Sequence, residues 1–452
     1  MTVLAYIVGV LFLALGVGVS IGLHEIGHLV PAKKFGVRVT QYMVGFGPTI
    51  WSRRRGETEY GIKGIPLGGY IRMIGMFPPR PGDDPTKMRV SSTGRFSQLA
   101  DEARKASLEE IRPGDENRVF YKLPVHKKVI IMLGGPVMNL LIGLVLLTVL
   151  VPAHGFPRPQ EGALVAAVAE CVKPAAEATD TDCTGAQPSP ANAAGLLPGD
   201  KIISVQGTVV RDNSDVGELV RPRVDQPTKF VIERDGTQRT LTVTPILNTL
   251  PAYDEEGQPI LGADGKQQVI EAGYLGVSSA TPVVLERSVT AVPAIMGDTL
   301  AQTAQALVRI PQKMVGVWNA AFSGQERELD SPVSVVGVGR VAGEVTSGRL
   351  DAFIGESWSD KFWFLVSLLM SLNFMLFLFN LVPLLPLDGG HVAGALWEGV
   401  KKTWARLRGR PDPGYVDVAK ALPVAYGVSM VLIVMSALLI YADIVNPIDL
   451  GG

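Results

Sequence analysis

The chain has 452 residues, of which 47% are hydrophobic and 19% charged, with a formal net charge of -1. The length is too great for one ordinary domain. The near-neutral balance gives no argument for a nucleic-acid partner, and the apolar share suits a protein that is part membrane and part polar loop. The class expected is an α-helical polytopic membrane protein, with the lipid bilayer as its first partner and no nucleic acid.

The chain opens on a long apolar run, and residues 3–23 carry no charge. That run leads into His24-Glu25-Ile26-Gly27-His28, the pattern H-E-x-x-H. On a helix two His at i and i+4 share a face and can reach one Zn²⁺, while Glu25 sits beside them as a base. Ionisable side chains at membrane depth are costly and mark function. The bland alternative is a helix end that happens to carry His and Glu at the interface. No basic residue precedes the run and it is too long for a cleaved leader, so it reads as a spanning helix and not as a signal peptide.

Four segments are long and apolar enough to span: 3–30, 129–151, 362–385 and 422–444. They place transmembrane helices over residues 1–30, 126–152, 361–391 and 422–446. Residues 31–128 hold 19 Lys and Arg and residues 386–421 hold six, whereas residues 152–361 hold 17 over about twice the length of the first loop. The two basic loops are therefore expected in the cytoplasm. Both termini and the central loop fall outside the cell, and His24 and His28 lie toward the cytoplasmic side.

Residues 31–76 alternate apolar residues with Gly and predict a membrane-associated β region. Residues 77–125 read as a polar cytoplasmic insert with one amphipathic stretch near 96–111. Gly134-Gly135-Pro136-Val137-Met138-Asn139 opens the second span, with Gly135 and Asn139 on one face suited to close helix packing. Cys171 and Cys183 are the only cysteines. In an oxidising compartment they either pair or stand as two surface thiols. Residues 174–190 read as a disordered insertion. Residues 281–360 form an amphipathic region with a helix near 289–323, and residues 392–421 form a cytoplasmic loop.

The third span ends in Asn380-Leu381-Val382-Pro383-Leu384-Leu385-Pro386-Leu387-Asp388-Gly389-Gly390-His391. A catalytic zinc takes three protein ligands and keeps an open position. His24, His28 and Asp388 make that number at one membrane level. Asn380 is placed to donate to a developing oxyanion, or to hydrogen-bond between helices. His391 reads as an interfacial neighbour and not as a fourth ligand.

These two halves together resemble the site-2 protease family of intramembrane zinc metalloproteases, in its bacterial RseP-like branch. The resemblance implies that His24, His28 and Asp388 bind zinc, that Glu25 activates water, and that Asn380 assists. It also implies an extracytoplasmic PDZ domain. Ala194-Gly195-Leu196-Leu197-Pro198-Gly199-Asp200-Lys201-Ile202 matches a PDZ core, and Tyr274-Leu275-Gly276-Val277 could supply the peptide-binding strand. The domain is expected over 160–280, where it would take peptide C-termini. The implied role is regulated intramembrane proteolysis in the bacterial inner membrane. Its substrates would be single-span proteins such as an anti-sigma factor, or remnant signal peptides. The competing readings are a catalytically inactive PDZ membrane adaptor and a transporter using the polar helix ends. The adaptor should have lost Glu25 or a ligand, and all four are present.

Overall fold

The structure is a computed structural model that describes residues 2–79, 95–173, 183–252, 260, 268–323, 327–328 and 330–448. The polar stretch 80–94 and most of the insertion expected at 174–190 lie outside the described residues. The chain divides into two compact units, Met1–His154 with Ser288–Gly452, and Gly155–Arg287.

The first unit starts with α1 (Thr2–Lys34), β1 (Val39–Arg55), β2 (Thr58–Met73), α2 (Arg95–Glu109) and α3 (Val125–Ala153). Four helices are long and apolar enough to cross a membrane: Val3–Lys34, Val125–Ala153, Trp358–Leu381 and Val418–Val445. Their outward faces are apolar, as at Leu11, Leu15, Val145 and Val431, each exposed. Helices with such faces are stable in lipid because every backbone group is satisfied within the helix. A buried hydrogen bond, Asn373 Nδ2 to Ser20 Oγ at 3.0 Å, crosses between two of the spans.

β1 and β2 form a two-stranded sheet in which each long strand folds back on the other. Residues 59–62 register with 41–44 and again with 51–54, so this segment is interior. Residues 69–73 register only with 39–44 and form an edge.

The second unit is α+β. It holds β3 (Phe156–Pro159), β4 (Ala163–Val168), α4 (Pro190–Ala193), β5 (Lys201–Val205), β6 (Thr208–Val209), α5 (Asn213–Val220), β7 (Thr228–Arg234) and β8 (Thr237–Val243). β9 (Ile246–Pro251), β10 (Val269–Tyr274), β11 (Val277–Ala280) and β12 (Val283–Glu286) complete it. The main sheet runs β11-β4-β5-β7-β8 with β6 beside β5, so β11 ends it. Asp235 and Gly236 both take positive φ, 52° and 72°, the left-handed pair that closes a tight hairpin between β7 and β8. Phe230, Ile232, Ile202 and Leu196 fill the core. Cys171 and Cys183 are joined in a disulfide.

One ion pair in this unit gives a pH signature. Asp200 is buried and accepts from Arg234 Nε at 2.6 Å, Arg234 Nη2 at 2.7 Å and the Leu197 N–H at 2.8 Å. Burial pushes its carboxyl up, but the Arg234 bonds and the Leu197 amide outweigh it and hold the group below its ordinary value. The stabilisation is therefore present above the unfolded Asp value near ~3.9 and is lost as pH falls through the depressed folded value. Asp200→Asn is expected to cost about 1–3 kcal/mol at neutral pH. Hydrogen exchange of β5 and β7 in the intact protein, variant against parent at each pH, should show that gap closing in acid. A gap independent of pH would contradict this account.

The chain returns to the first unit with α6 (Val292–Phe322), α7 (Val335–Ser347), α8 (Asp351–Ile354), α9 (Trp358–Leu381), α10 (Asp388–Leu407) and α11 (Leu422–Val445). The segment assigned to the third span, 361–391, is broken at the prolines the sequence places there, because Pro383 and Pro386 lack the N–H that would continue α9. Asp388 opens a separate helix, which occupies much of the segment expected as the 392–421 loop.

Candidate metal centre

α1 carries His24, Glu25 and His28, and α10 carries Asp388 at its first position. The division of the third span is what aims that carboxylate at α1. Gly389 and Gly390 lie so close to the backbone of Leu381–Leu385 that a Cβ at either would collide with it.

His24 Nε2 and His28 Nε2 stand 3.2 Å apart, and Asp388 Oδ2 is 3.3 Å from each. A tetrahedral ion with bonds of 2.0–2.1 Å has edges of about 3.3–3.4 Å, so the three donors have the spacing such an ion needs. Asp388 Oδ2, the atom facing both imidazoles, is buried and has no conventional hydrogen-bond partner. An ionised oxygen is expensive to bury in that state unless a cation sits against it. Among the described residues these three are the one group of His, Cys, Asp and Glu with this proximity. The donor set of two imidazoles and one carboxylate suits a catalytic metal with an open position.

The surroundings orient the candidate ligands. His28 Nδ1 lies 2.7 Å from the Ile131 carbonyl on α3. A proton on Nδ1 donates there and leaves the Nε2 lone pair for a metal. His24 Nδ1 is buried without a partner, so its tautomer is not set in this way. Gly27 on α1 meets the backbone of Gly134 on α3, and a Cβ at Gly135 would fall on the Nε2 atoms of both His28 and His24. Only glycine lets α3 pass this close to the imidazoles. From the sequence Gly135 reads as helix packing alone; its proximity to the two imidazoles emerges only once α1 and α3 are laid together.

Glu25 is buried, and its carboxylate lies against the backbone N–H of Ile71 in the edge segment of β2. A Cβ at Gly69 would come 2.9 Å from Glu25 Cγ. The base candidate is thus wedged between the three candidate ligands and a strand edge. Asn380 lies in the last turn of α9, half-buried, and its amide makes no hydrogen bond among the described residues. His391 lies on α10 one turn beyond Asp388 and outside the three-donor group.

A pair that sequence reading missed fixes α10. Lys128 of α3 donates to Glu398 at 2.8 Å, and Lys402 donates to the same carboxylate at 2.8 Å. Burial pushes the Glu398 carboxyl up, but the two lysines outweigh it and hold it below its ordinary value. The Val416 N–H adds a bond at 3.3 Å. The i,i+4 spacing of Glu398 and Lys402 was readable in the sequence; the pairing with Lys128, 270 positions away, was not.

With this geometry in hand, the profile of the family described as Peptidase family M50 matches residues 12–411. The chain belongs to that family. It is 35% identical over 98% of its length to the "Zinc metalloprotease Rip1" of Mycolicibacterium smegmatis, and covers 98% of that protein. It is 33% identical to the Mycobacterium tuberculosis protein of the same name, over 98% of this chain and 99% of that one. It is 29% identical to the "Metalloprotease MmpA" of Caulobacter vibrioides, over 85% of each chain. An M50 peptidase with four spanning helices is a multi-pass membrane enzyme.

Proposed function

We propose that this M50 peptidase is a zinc enzyme that hydrolyses peptide bonds in the transmembrane segments of other membrane proteins. His24, His28 and Asp388 would hold the ion. The observation that carries the reading is their donor spacing, 3.2 to 3.3 Å, on spanning and adjoining helices with Glu25 alongside. The curated relatives named as zinc metalloproteases support the choice of metal. When bound, zinc supplies Lewis acidity toward water and the scissile carbonyl. Glu25 takes a proton from the attacking water and delivers it to the leaving amide nitrogen as the C–N bond breaks. The Asn380 amide, which has no hydrogen-bond partner among the described residues, donates to the carbonyl oxygen as charge develops there.

A helix hides its carbonyls behind its own hydrogen bonds, and releasing them in lipid is costly unless another backbone replaces them. The edge at residues 69–73, which lies against Glu25, is the place for an unwound substrate to add as a strand. Ile62, by contrast, pairs with both Val44 and Trp51 and is interior. The α+β unit Gly155–Arg287 is read as a PDZ-type filter that takes peptide C-termini along β11, the end strand of its sheet. The ligand level faces the cytoplasm and this unit lies outside, in accord with the basic loops. Membrane-anchored anti-sigma factors and remnant signal peptides are the substrates that fit such a site.

Gly and Pro are about 1 and 3 kcal/mol worse than Ala inside a helix, so substrate spans that contain them should open more readily. The test is to trap substrates on Glu25→Gln protein and identify them by mass spectrometry. Their Gly and Pro positions are then changed to Leu. Slower cleavage of the Leu versions is expected, and equal rates would show that unwinding is not the selective step.

A further inference from the structure

α10 presents an apolar stripe that no part of the described protein covers. Leu396, Trp397, Val400, Trp404 and Leu407 are 54%, 59%, 55%, 56% and 80% exposed. At 3.6 residues per turn they fall within an arc of about 100°. The buried residues Ala395, Glu398 and Ala405 lie on the opposite side, and Glu398 is bound there to Lys128 of α3. The helix is thus held firmly by one face and open on the other.

Three features of the protein say what covers the open face. First, the stripe forms a groove that continues onto Val125, the residue where the spanning helix α3 begins. It is therefore level with the rim of the apolar belt. Second, Lys401 and Arg408 flank the stripe, Arg406 lies exposed in the last turn of the helix and Arg410 follows just beyond it, and none makes an ion pair with a carboxylate among the described residues. Arg408 stacks on Trp404 at 4.2 Å. Third, two of the five stripe residues are tryptophans, the side chain favoured at headgroup depth. An apolar face with basic flanks is the pattern of a helix lying in the plane of an anionic bilayer surface.

We propose that α10 is an interfacial anchor: its apolar stripe sits at the acyl boundary and its free cations bind anionic phospholipid headgroups. Each basic side chain near an anionic surface strengthens binding about fivefold. The helix that begins on Asp388 would then be held on one face by protein and on the other by lipid.

The test uses the full chain in vesicles of phosphatidylcholine alone or mixed with phosphatidylglycerol. Both native cysteines are paired, so single introduced cysteines can be spin-labelled selectively. Labels at Val400→Cys and Leu407→Cys are expected to be relaxed more by oxygen than by a water-soluble nickel complex, with Asp412→Cys showing the reverse. Phosphatidylglycerol should deepen the first two. Combining Lys401→Glu, Arg406→Glu and Arg408→Glu should abolish that deepening, while exchanging Lys for Arg and Arg for Lys at the same positions should keep it. Nickel access at 400 and 407 equal to that at 412 would place the stripe in water and overturn the proposal. Shielding from both reagents would mean that a protein, including a second copy, covers it, and would also overturn it. Equal depth with and without phosphatidylglycerol would refute the anionic partner.

Discussion

Glu25→Gln protein is expected to lose cleavage by about 10²–10⁴-fold while binding as much zinc as the parent. Glu25 is not one of the three donors; it is buried next to them, against Gly69 and Ile71. Gln has nearly the same shape and keeps that packing, but it cannot accept the proton of the attacking water. Turnover of a purified substrate and metal content, measured on the same preparation, decide the point. Cleavage retained at the parent rate would remove Glu25 from the mechanism. Zinc lost along with cleavage would mean that Glu25 helps to hold the ion.

Asp388→Ala should lose both zinc and activity. The carboxylate supplies one of three donors and the only negative charge among them, and two imidazoles 3.2 Å apart make a poor site alone. Gly135→Ala should lower zinc affinity by about 10–100-fold without removing any ligand, because its methyl would displace both Nε2 atoms. His391→Ala is the control: it lies on α10 outside the three-donor group and should keep the metal. Zinc content by elemental analysis after dialysis checks all three. Loss in His391→Ala, or full occupancy in Asp388→Ala, would contradict the ligand assignment.

Much of this was legible in the chain itself. The spans announce themselves through uninterrupted apolar runs, and the i,i+4 spacing of His24 and His28 puts them on one helix face. Asp235-Gly236 is a hairpin signal by residue type alone, because both residues tolerate the positive φ that such a turn needs, and the structure shows that φ at both. What failed to show was anything that depends on two distant segments meeting. Asp388-Gly389-Gly390 reads as the frayed end of a span because glycines are poor helix formers, yet it opens α10; the packing of both glycines on Leu381–Leu385 supplies what propensity does not. The apolar spacing at Leu396, Val400, Trp404 and Leu407 carried the helical period but sat in a segment too charged to count as a span. The interior place of Ile62 follows from β1 folding back at residues 45–48, a register that alternation alone cannot give. Lys128–Glu398 and the approach of Gly135 to the imidazoles are tertiary facts of the same kind.

The central claim is that one zinc ion is held by His24, His28 and Asp388 on the membrane-spanning framework of this M50 peptidase. X-ray absorption at the zinc edge of the full-length protein tests it most directly. The account predicts one zinc per chain, with two imidazole nitrogens and carboxylate oxygen at about 2.0–2.2 Å and no sulfur ligand. A sulfur shell, a third imidazole, or protein that binds no zinc in stoichiometric amount would contradict it.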